Sequence, residues 1–440
     1  MSEIKSSRGA LAELADAVTH VPLVDGSSSR FVNLDYAASA PPLASVHRVV
    51  STTMAYYASI HRGQSYLSRV STAAYEHARA TIAEATGARE GDVVIFTRNT
   101  TDALTLLADA VPGRVVHFDI EHHANLLPWR NAEWSVMLAR GSVEESLAAL
   151  EDELERCPAA LVAVTGASNV TGECPPVEEL AALAHRYGAR LVVDGAQLTP
   201  HRPVDLAASG IDYLACSGHK LYAPYGAGVL VGRHDWLDAA PPHQPGGGAV
   251  LSVSIDAVEW KRSPARHEGG TPNLAGAVAL GAAFAALRAL GFGAIRDHEM
   301  GLYDQLLTGL GRLGIDVLRI WPEHRDLVAV ASFNVPGYRP DLVAAYLSAE
   351  HGIGVRGGKF CAHPLLARFG LADAGAVRAS IGLGTGSDDV DALLVALERL
   401  LVTGPRWKYR AVDGYFSPDP DPRPSADDVL ATAVGSLVQG

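Results

Sequence analysis

The sequence predicts an α/β protein with a large domain on a mostly parallel sheet, followed by a smaller α/β domain. From Asp92 onward, short apolar segments alternate with amphipathic segments of helical period, and proline or glycine lies at many of their ends. Apolar strands separated by helices form βαβ units, whose parallel sheet is covered on both faces. Near Gly291 this pattern changes. We therefore expect a sheet of the seven-stranded type between helices, and then a second, smaller unit.

In the larger unit, six apolar segments predict strands and three intervening segments predict helices. The helix from Val177 follows two prolines and precedes Gly188, which is the usual distribution of these residues around a helix. The predicted strands are 93–97, 114–118, 160–165, 190–194, 212–216 and 228–231, and the predicted helices are 102–110, 143–156 and 177–187.

The smaller unit begins within a long helical pair and ends before a tail rich in proline and aspartate. We predict helices at 274–290, 294–313, from Asp341, and at 388–401, and strands at 316–321, 327–334, 354–356 and 377–381. The tail, 404–425, is expected to be an ordered extension before a short helix from about Ala426. The predicted organisation is an N-terminal segment 1–30 packed on the small domain, a large domain 31–290, a small domain 291–402 and an extension 403–440.

Composition excludes several classes of protein. Of 440 residues, 48% are hydrophobic, and 36 basic against 49 acidic residues give a net charge of −13. Such a chain can bury a large core, and its acidity argues against a nucleic-acid partner. The N-terminus carries charges where a signal peptide is apolar, and the longest uncharged stretch, 269–287, is typical of a loop and a buried helix. We expect a soluble, cytoplasmic protein without a membrane span.

The four cysteines are too few for a disulfide scaffold and form no CxxC pair, so we expect no metal site. They are Cys157, Cys174, Cys216 and Cys361.

The segment 190–220 is the most informative about chemistry. A predicted strand ends at Asp194, and Lys220 follows the next strand within Ser-Gly-His-Lys. The carboxyl ends of parallel strands open on one edge of the sheet, where ligands bind. Taken singly, Asp194 is equally well a turn residue and Lys220 a surface lysine. Together, at this spacing, they indicate a carboxylate and an amine that face one pocket.

These residues and eight further motifs, in the same order along the chain, resemble the class V family of pyridoxal-phosphate enzymes, in particular its cysteine desulfurase/selenocysteine lyase branch. The resemblance covers roughly residues 30–402. The further motifs are NLDYAASA at 33–40, HRG at 61–63, TRNTTDAL at 97–104, EHHANLLPW at 121–129, SNVTG at 168–172, GGTPN at 269–273, VRGGKFCA at 355–362 and VRASIG at 377–382.

The resemblance implies pyridoxal 5′-phosphate as the cofactor, bound by the large domain. Lys220 would hold the aldehyde and move the substrate α-proton, while Asp194 would keep the ring nitrogen protonated. His122 would stack on the ring and shuttle protons, and His123 should point elsewhere because neighbours on an extended segment face opposite ways. The remaining implied cofactor contacts are Gln197 at the phenolic oxygen, and Thr100, Thr101, Ser217, His219 and, across a dimer interface, Thr271 at the phosphate.

The resemblance also implies a substrate pocket and a nucleophile. Arg378 would grip the substrate α-carboxylate with its planar fork. Cys361 would attack the substrate sulfur, which requires a thiolate on an accessible loop, and Arg356 and Lys359 are cationic neighbours that favour one. Further predicted pocket residues are Asn169, Arg356, Ala38 and His61. The alternative interpretation of Cys361 is a small buried hydrophobe.

Two departures from the family pattern leave other reactions open. Gly357-Gly358-Lys359-Phe360 precedes the cysteine where the family has an RTGxxCA segment, and Gly384-Thr385-Gly386 stands where a YNT-like segment is usual. An additional glycine loosens the loop, and Phe360 makes the thiol's surroundings more apolar.

The leading hypothesis is a homodimeric cysteine desulfurase with shared active sites. It converts L-cysteine into alanine, leaves a persulfide on Cys361, and passes sulfur to an acceptor protein. The alternatives are a class V aminotransferase, C–S lyase or epimerase acting on a specialised amino acid, a selenocysteine lyase, and a non-catalytic partner that docks through its aromatic tail.

Overall fold

The computed structural model describes residues 9–15, 20–131, 133–412 and 414–431, so the predicted segments 1–30 and 403–440 lie partly outside the described residues. The helices are α1 Ala44–Met54, α2 Tyr66–Ala85, α3 Thr100–Ala108, α4 Val143–Arg156, α5 Val177–Arg186, α6 Leu206–Ser209, α7 His234–Ala239, α8 Leu274–Leu290, α9 Phe292–Arg312, α10 Pro340–His351, α11 His363–Arg368 and α12 Ser387–Thr403. The strands are β1 His20–Pro22, β2 Ser28–Arg30, β3 Val32–Asn33, β4 Asp92–Thr97, β5 Val115–Phe118, β6 Trp134–Met137, β7 Leu161–Thr165, β8 Arg190–Asp194, β9 Tyr213–Ser217, β10 Gly228–Arg233, β11 Val250–Val253, β12 Val258–Trp260, β13 Val330–Phe333, β14 Ile353–Gly354, β15 Arg356–Gly358, β16 Ala376–Ser380, β17 Tyr409–Val412 and β18 Tyr415–Pro418.

The central sheet has seven strands in the order β4-β10-β9-β8-β7-β5-β6. Neighbours from β9 to β6 are parallel, and only β10 runs antiparallel to both of its neighbours. The predicted α/β class with a mostly parallel sheet is therefore confirmed, and all six predicted strands are present. The seventh, β6, was not predicted; it is a four-residue edge strand whose residues are alternately exposed and half-buried.

Two of the buried cores are large. The largest lies between the seven-stranded sheet and its helices, and the second surrounds the antiparallel sheet β13-β16-β15 with α9, α10 and α12. Val32 and Leu34, which the sequence analysis placed in the large domain, pack in the second core, where β3 pairs with β14. We keep the domain boundary near residue 290 as a proposal, because α8 packs on the large domain and α9 on the small one.

The strand predicted at 316–321 is wrong. Only Val317 forms an isolated bridge, to Phe333. The backbone N–H groups of Ile320 and Trp321 instead donate to the carboxylate of Glu173, at 2.7 and 2.8 Å. A buried carboxylate has replaced the partner strand, so no ladder forms.

The strand predicted at 354–356 is divided between two sheets. Ile353 and Gly354 pair with β3, whereas Arg356 begins β15 and pairs with β16. This change of sheet places Arg356 opposite Arg378.

The tail packs on α10 through one buried carboxylate. Glu350 is 3% exposed. It accepts hydrogen bonds from the backbone N–H groups of Arg406 and Trp407, from the Arg406 side chain and from the Tyr409 hydroxyl. The hairpin β17–β18 follows, and helix begins again at Ala426, as expected from the sequence. The tail is thus tied to the helix that precedes the Arg356 strand.

Among the described residues no single helix is long and apolar enough to cross a membrane. One pair, α8 with α9, meets the criteria of length and composition only together, across a bend of 80°.

Glu350→Gln should release the tail. The amide keeps one acceptor oxygen where the carboxylate serves four donors, so docking should lose about 1–3 kcal/mol. Trypsin should then cut after Lys408 and Arg410 at least tenfold faster, measured by mass spectrometry of a timed digest. Glu398→Gln, at an exposed position of α12, is the control. Equal digestion of the two variants would show that Glu350 does not hold the tail.

Candidate functional site

A cavity of about 350 Å³ opens at the carboxyl edge of the large sheet. It is lined both by the ends of the parallel strands and by β15 and β16 of the second core. Thirteen of the residues predicted from the sequence line it, namely Ala38, Thr100, Thr101, His122, Asn169, Asp194, Gln197, Ser217, His219, Lys220, Arg356, Cys361 and Arg378.

One end of the cavity is suited to an anion. Helix α3 begins here, capped by Asn99, whose side chain accepts from the N–H of Asp102. The Thr100 N–H donates to the Ser217 hydroxyl at 2.7 Å, and the two hydroxyls are also 2.7 Å apart. The positive end of a helix dipole, together with neighbouring hydroxyls, favours an anion such as phosphate.

A carboxylate and an amine lie deeper in the cavity. Asp194, at the end of β8, is 4% exposed and accepts from the Ala196 N–H at 3.0 Å. Burial raises its pKa, although that hydrogen bond and Lys220 oppose the shift. Burial lowers the pKa of Lys220 to about 8, against the attraction of Asp194 and with the repulsion of Arg378. Lys220 is consequently still mostly protonated near physiological pH, but a far larger share of it is neutral than of an ordinary lysine.

His122 is held as a neutral ring of one tautomer. Its Nδ1 accepts from the Ala124 N–H at 3.0 Å, at the start of a short 3₁₀ turn, His123–Asn125. Burial lowers its pKa to about 3, and Lys220 adds to the shift. Since Nδ1 is an acceptor, the hydrogen of the neutral ring is on Nε2. Gln197 is also oriented, because its amide donates to the Ala37 carbonyl at 2.6 Å.

Arg356 and Arg378 face each other on β15 and β16, and Asp35 bridges them. Asp35 Oδ1 accepts from Arg378 Nη2 and Oδ2 from Arg356 Nε, both at 3.2 Å. Arg378 is 3% exposed, and its Nη1 donates to the Asn169 carbonyl at 2.8 Å. Like charges directly opposite on a sheet repel, so the carboxylate is what permits this pair.

Asp35 was not among the predicted site residues. Its signal was present in the sequence, since it lies inside the NLDYAASA motif, two residues after the end of β3.

The loop that carries Cys361 is strained. Phe360 and Cys361 both have positive φ, 53° and 52°, a region that costs a non-glycine residue about 1 kcal/mol or more. Asn169 donates to the Phe360 carbonyl at 2.8 Å, and the Phe360 ring lies 5.0 Å from the Arg378 guanidinium. Cys361 itself is exposed at the cavity.

The other cysteines are poor nucleophiles or lie elsewhere. Cys174 and Cys216 are buried, and burial raises the pKa of each thiol to about 12. Cys157 follows α4, remote from the residues that line the cavity.

Two predicted site residues do not line the cavity of this chain. His61 pairs with Glu76 of α2, with 2.8 Å between Nε2 and Oε1. Thr271 is exposed, in the loop before α8, and its role in the site of a second subunit stays a prediction. The neighbour of His61, Arg62, donates to the Gly270 carbonyl at 2.7 Å and so supports the loop of Thr271.

The unusual segment Gly384–Gly386 has a structural role. The Thr385 hydroxyl accepts from the Gly382 N–H at 3.1 Å, and Gly386 precedes α12, whose Asp389 accepts from the Gly386 N–H at 2.8 Å. The segment does not line the cavity. Its departure from the family pattern therefore changes the turn before α12 and no wall of the site.

A second ionisable group, absent from the predicted site residues, lies behind the site. Glu121 is fully buried, and its Oε2 accepts from Asn125 Nδ2 at 2.7 Å, while Oε1 has no partner. Burial raises its pKa to about 8, and the nearby Asp194 adds to the shift.

The described part of the chain contains no cluster of three or more histidine, cysteine, aspartate or glutamate residues that could hold a metal ion.

Comparison with known proteins agrees with this geometry. The family model described as Aminotransferase class-V matches residues 32–393. A cysteine desulfurase of Dickeya dadantii is 37% identical over 83% of this chain and 91% of its own length, and one of Klebsiella pneumoniae is 36% identical over 83% and 92%.

Solved structures of cysteine desulfurases are also similar to this chain. The apo cysteine desulfurase of Thermococcus onnurineus has a TM-score of 0.78 at 33% identity, and an Escherichia coli cysteine desulfurase in an S-sulfonic acid form has 0.74 at 32%. Each covers 84% of this chain, which spans 94% of each of them. With the family model matched over most of the sequence and relatives above 30% identity across most of both chains, the protein belongs to the aminotransferase class-V family.

Proposed function

We propose that the protein is a pyridoxal-phosphate-dependent cysteine desulfurase that converts L-cysteine into alanine and leaves a persulfide on Cys361. The observation that carries this proposal is the exposed Cys361 thiol on a cavity that also contains Lys220 and the buried Arg378. A lysine, a carboxylate-binding arginine and a free thiol are the groups that the reaction needs. The relatives named cysteine desulfurases support it.

The residues present fit the cofactor. The N-terminus of α3 with the hydroxyls of Thr100, Thr101 and Ser217 would hold the phosphate, Asp194 would face the ring nitrogen, and Lys220 would hold the aldehyde. When bound, pyridoxal phosphate withdraws electrons from the substrate Cα and so weakens the bonds there. Thr271 of a second copy would add a phosphate contact, which requires a homodimer.

Arg378 and Arg356 would orient the substrate. Arg378 is buried beneath the Phe360 ring, where few water molecules can reach its charge. Hydrogen bonds to the α-carboxylate of a substrate would compensate for that lost hydration. Arg356 is half exposed at the opposite position and would contribute the second positive charge. Asp35 keeps both guanidinium groups in place while the site is empty of substrate.

Proton movement is assigned to Lys220 and His122. Because its pKa is lowered to about 8, Lys220 can accept the Cα proton as a neutral amine and return it to carbon. His122 stays neutral with hydrogen on Nε2, so it can donate a hydrogen bond without placing a second positive charge beside Lys220.

Cys361 receives the sulfur. Its thiolate forms an S–S bond with the substrate sulfur as the Cβ–S bond breaks, and the electron pair of that bond passes to Cβ, which is then protonated. One cysteine and one thiol thus give alanine and one persulfide, and no oxidant is needed. Because Cys361 is exposed, we expect the persulfide to pass to the thiol of an acceptor protein. The cytoplasmic location stays a prediction.

Cys361→Ser should abolish sulfur transfer and leave cofactor binding intact. With L-cysteine and a reductant, alanine and sulfide formation should fall at least ~100-fold, while the visible absorbance of the bound cofactor persists. Cys157→Ser is the control and should behave as the wild type. An aminotransferase, C–S lyase or epimerase would keep its activity in Cys361→Ser, and pyruvate with sulfide but without alanine would indicate elimination.

Arg378→Lys should raise the KM for L-cysteine by about 10- to 100-fold, because an ammonium group cannot reproduce the planar fork. Steady-state kinetics, with thermal unfolding to verify folding, would measure the effect. Arg356→Lys is the matched comparison, and its smaller increase should reflect its half-exposed position. Equal changes in the two variants would contradict the assignment of Arg378 as the main carboxylate contact.

The apoprotein should capture added pyridoxal phosphate faster as the pH rises through about 8, since only the neutral amine of Lys220 attacks an aldehyde. Stopped-flow absorbance between pH 6 and 10 would give the midpoint. Lys220→Arg should show no covalent capture. A midpoint near the ordinary lysine value would mean that burial does not tune this amine.

A further inference from the structure

The backbone conformation of the loop around Cys361 depends on the elements that surround the loop. Two consecutive residues with side chains, Phe360 and Cys361, have left-handed backbone conformations. Such residues persist only where the surroundings impose them. The loop must therefore be held by neighbouring elements.

His123 holds the loop at the cysteine and at the start of the helix that follows it. Its backbone N–H donates to the Cys361 carbonyl at 2.8 Å, and its Nε2 lies 3.4 Å from the N–H of His363, which begins α11. The His123 and His363 rings also meet edge to face, with centroids 4.5 Å apart. One side chain thus ties the first turn of α11 to the turn that follows β5.

We propose that the neutral His123 side chain is a positioning residue that keeps Cys361 at the cavity, and that its protonation releases the loop. This inference rests on the proposed function, in which Cys361 is the nucleophile. In the contact with His363, Nε2 is an acceptor, so the ring is neutral with its hydrogen on Nδ1. A protonated ring would present a second donor to the His363 N–H, and the contact would be lost.

The groups around His123 oppose its protonation. The titratable groups that face it are His122 on its own turn, with ring centroids 6.2 Å apart, Cys361 on the loop, and His363 on α11. Burial lowers the pKa of His123, and His363 adds to the shift. The loop is therefore held at neutral pH and loosens only under acidic conditions.

Release of the loop should slow sulfur transfer without affecting chemistry at Cα. Lys220, Asp194 and Arg378 line the cavity, and His123 does not. Once the strained turn is free, Phe360 and Cys361 relax and the thiol moves from its position.

Amide hydrogen exchange of the peptide that spans 355–366 would test the proposal in the full-length holoenzyme. His123→Ala should increase exchange in this peptide about tenfold. After correction for intrinsic rates, wild-type exchange should rise only once the pH falls below the ordinary histidine pKa of about 6.5, whereas His123→Gln, which cannot be protonated, should show no acid-dependent rise. His324→Gln is the control, because His324 bonds the Cys174 carbonyl instead. The same acid response in His123→Gln, or unchanged exchange in His123→Ala, would overturn the proposal.

Activity separates this proposal from the proposed function. His123→Ala should form alanine from L-cysteine about tenfold more slowly, while exchange of the L-alanine α-hydrogen in D2O, followed by NMR, stays within about twofold. Equal loss of both rates would contradict a positioning role. If no variant, nor the wild type, forms alanine, the desulfurase proposal fails, while the hydrogen-exchange result still decides the role of His123.

Discussion

The site depends on the parallel arrangement of β7, β8 and β9. In this register Asp194 lies opposite Ala215, so the chain that continues β9 extends past Asp194 to Ser217 and Lys220 at the same edge of the sheet. The strands are buried on both faces, which leaves little freedom to shift by a residue. A change of register would separate the carboxylate from the amine, whose pKa depends on it.

Burial then determines the chemistry of the groups at that edge. It lowers the pKa of Lys220 and His122 and raises that of Asp194 and Glu121, so burial disfavours the charged form of each of these groups. Burial lowers the pKa of Arg378, and Asp35, which lies against it, opposes that shift. The same low polarity would strengthen the attraction of an anionic substrate once water is displaced.

The antiparallel sheet β13-β16-β15 contributes the other half of the site. β15 and β16 carry the two arginines, and the Cys361 loop follows β15. Two residues of the large domain, Asn169 and His123, tie that loop to the sheet edge. Phe360 and Ala362, which flank Cys361, pack with the core of the seven-stranded sheet, so both cores meet near the nucleophile, while the tail secures α10 through Glu350.

The amino-acid sequence by itself determined the α/β class, the six apolar strands and most of the residues around the cavity. Apolar periodicity and strand-end residues are local properties, and the ordered motifs made Lys220, Asp194 and Cys361 recognisable. Tertiary structure decided what depends on distant partners. Glu173 replaced the strand expected at 316–321, Asp35 emerged as the bridge between two arginines, and His61 turned to Glu76. These outcomes arise because a polar side chain pairs with whichever group the fold brings near it, and sequence spacing does not encode that choice.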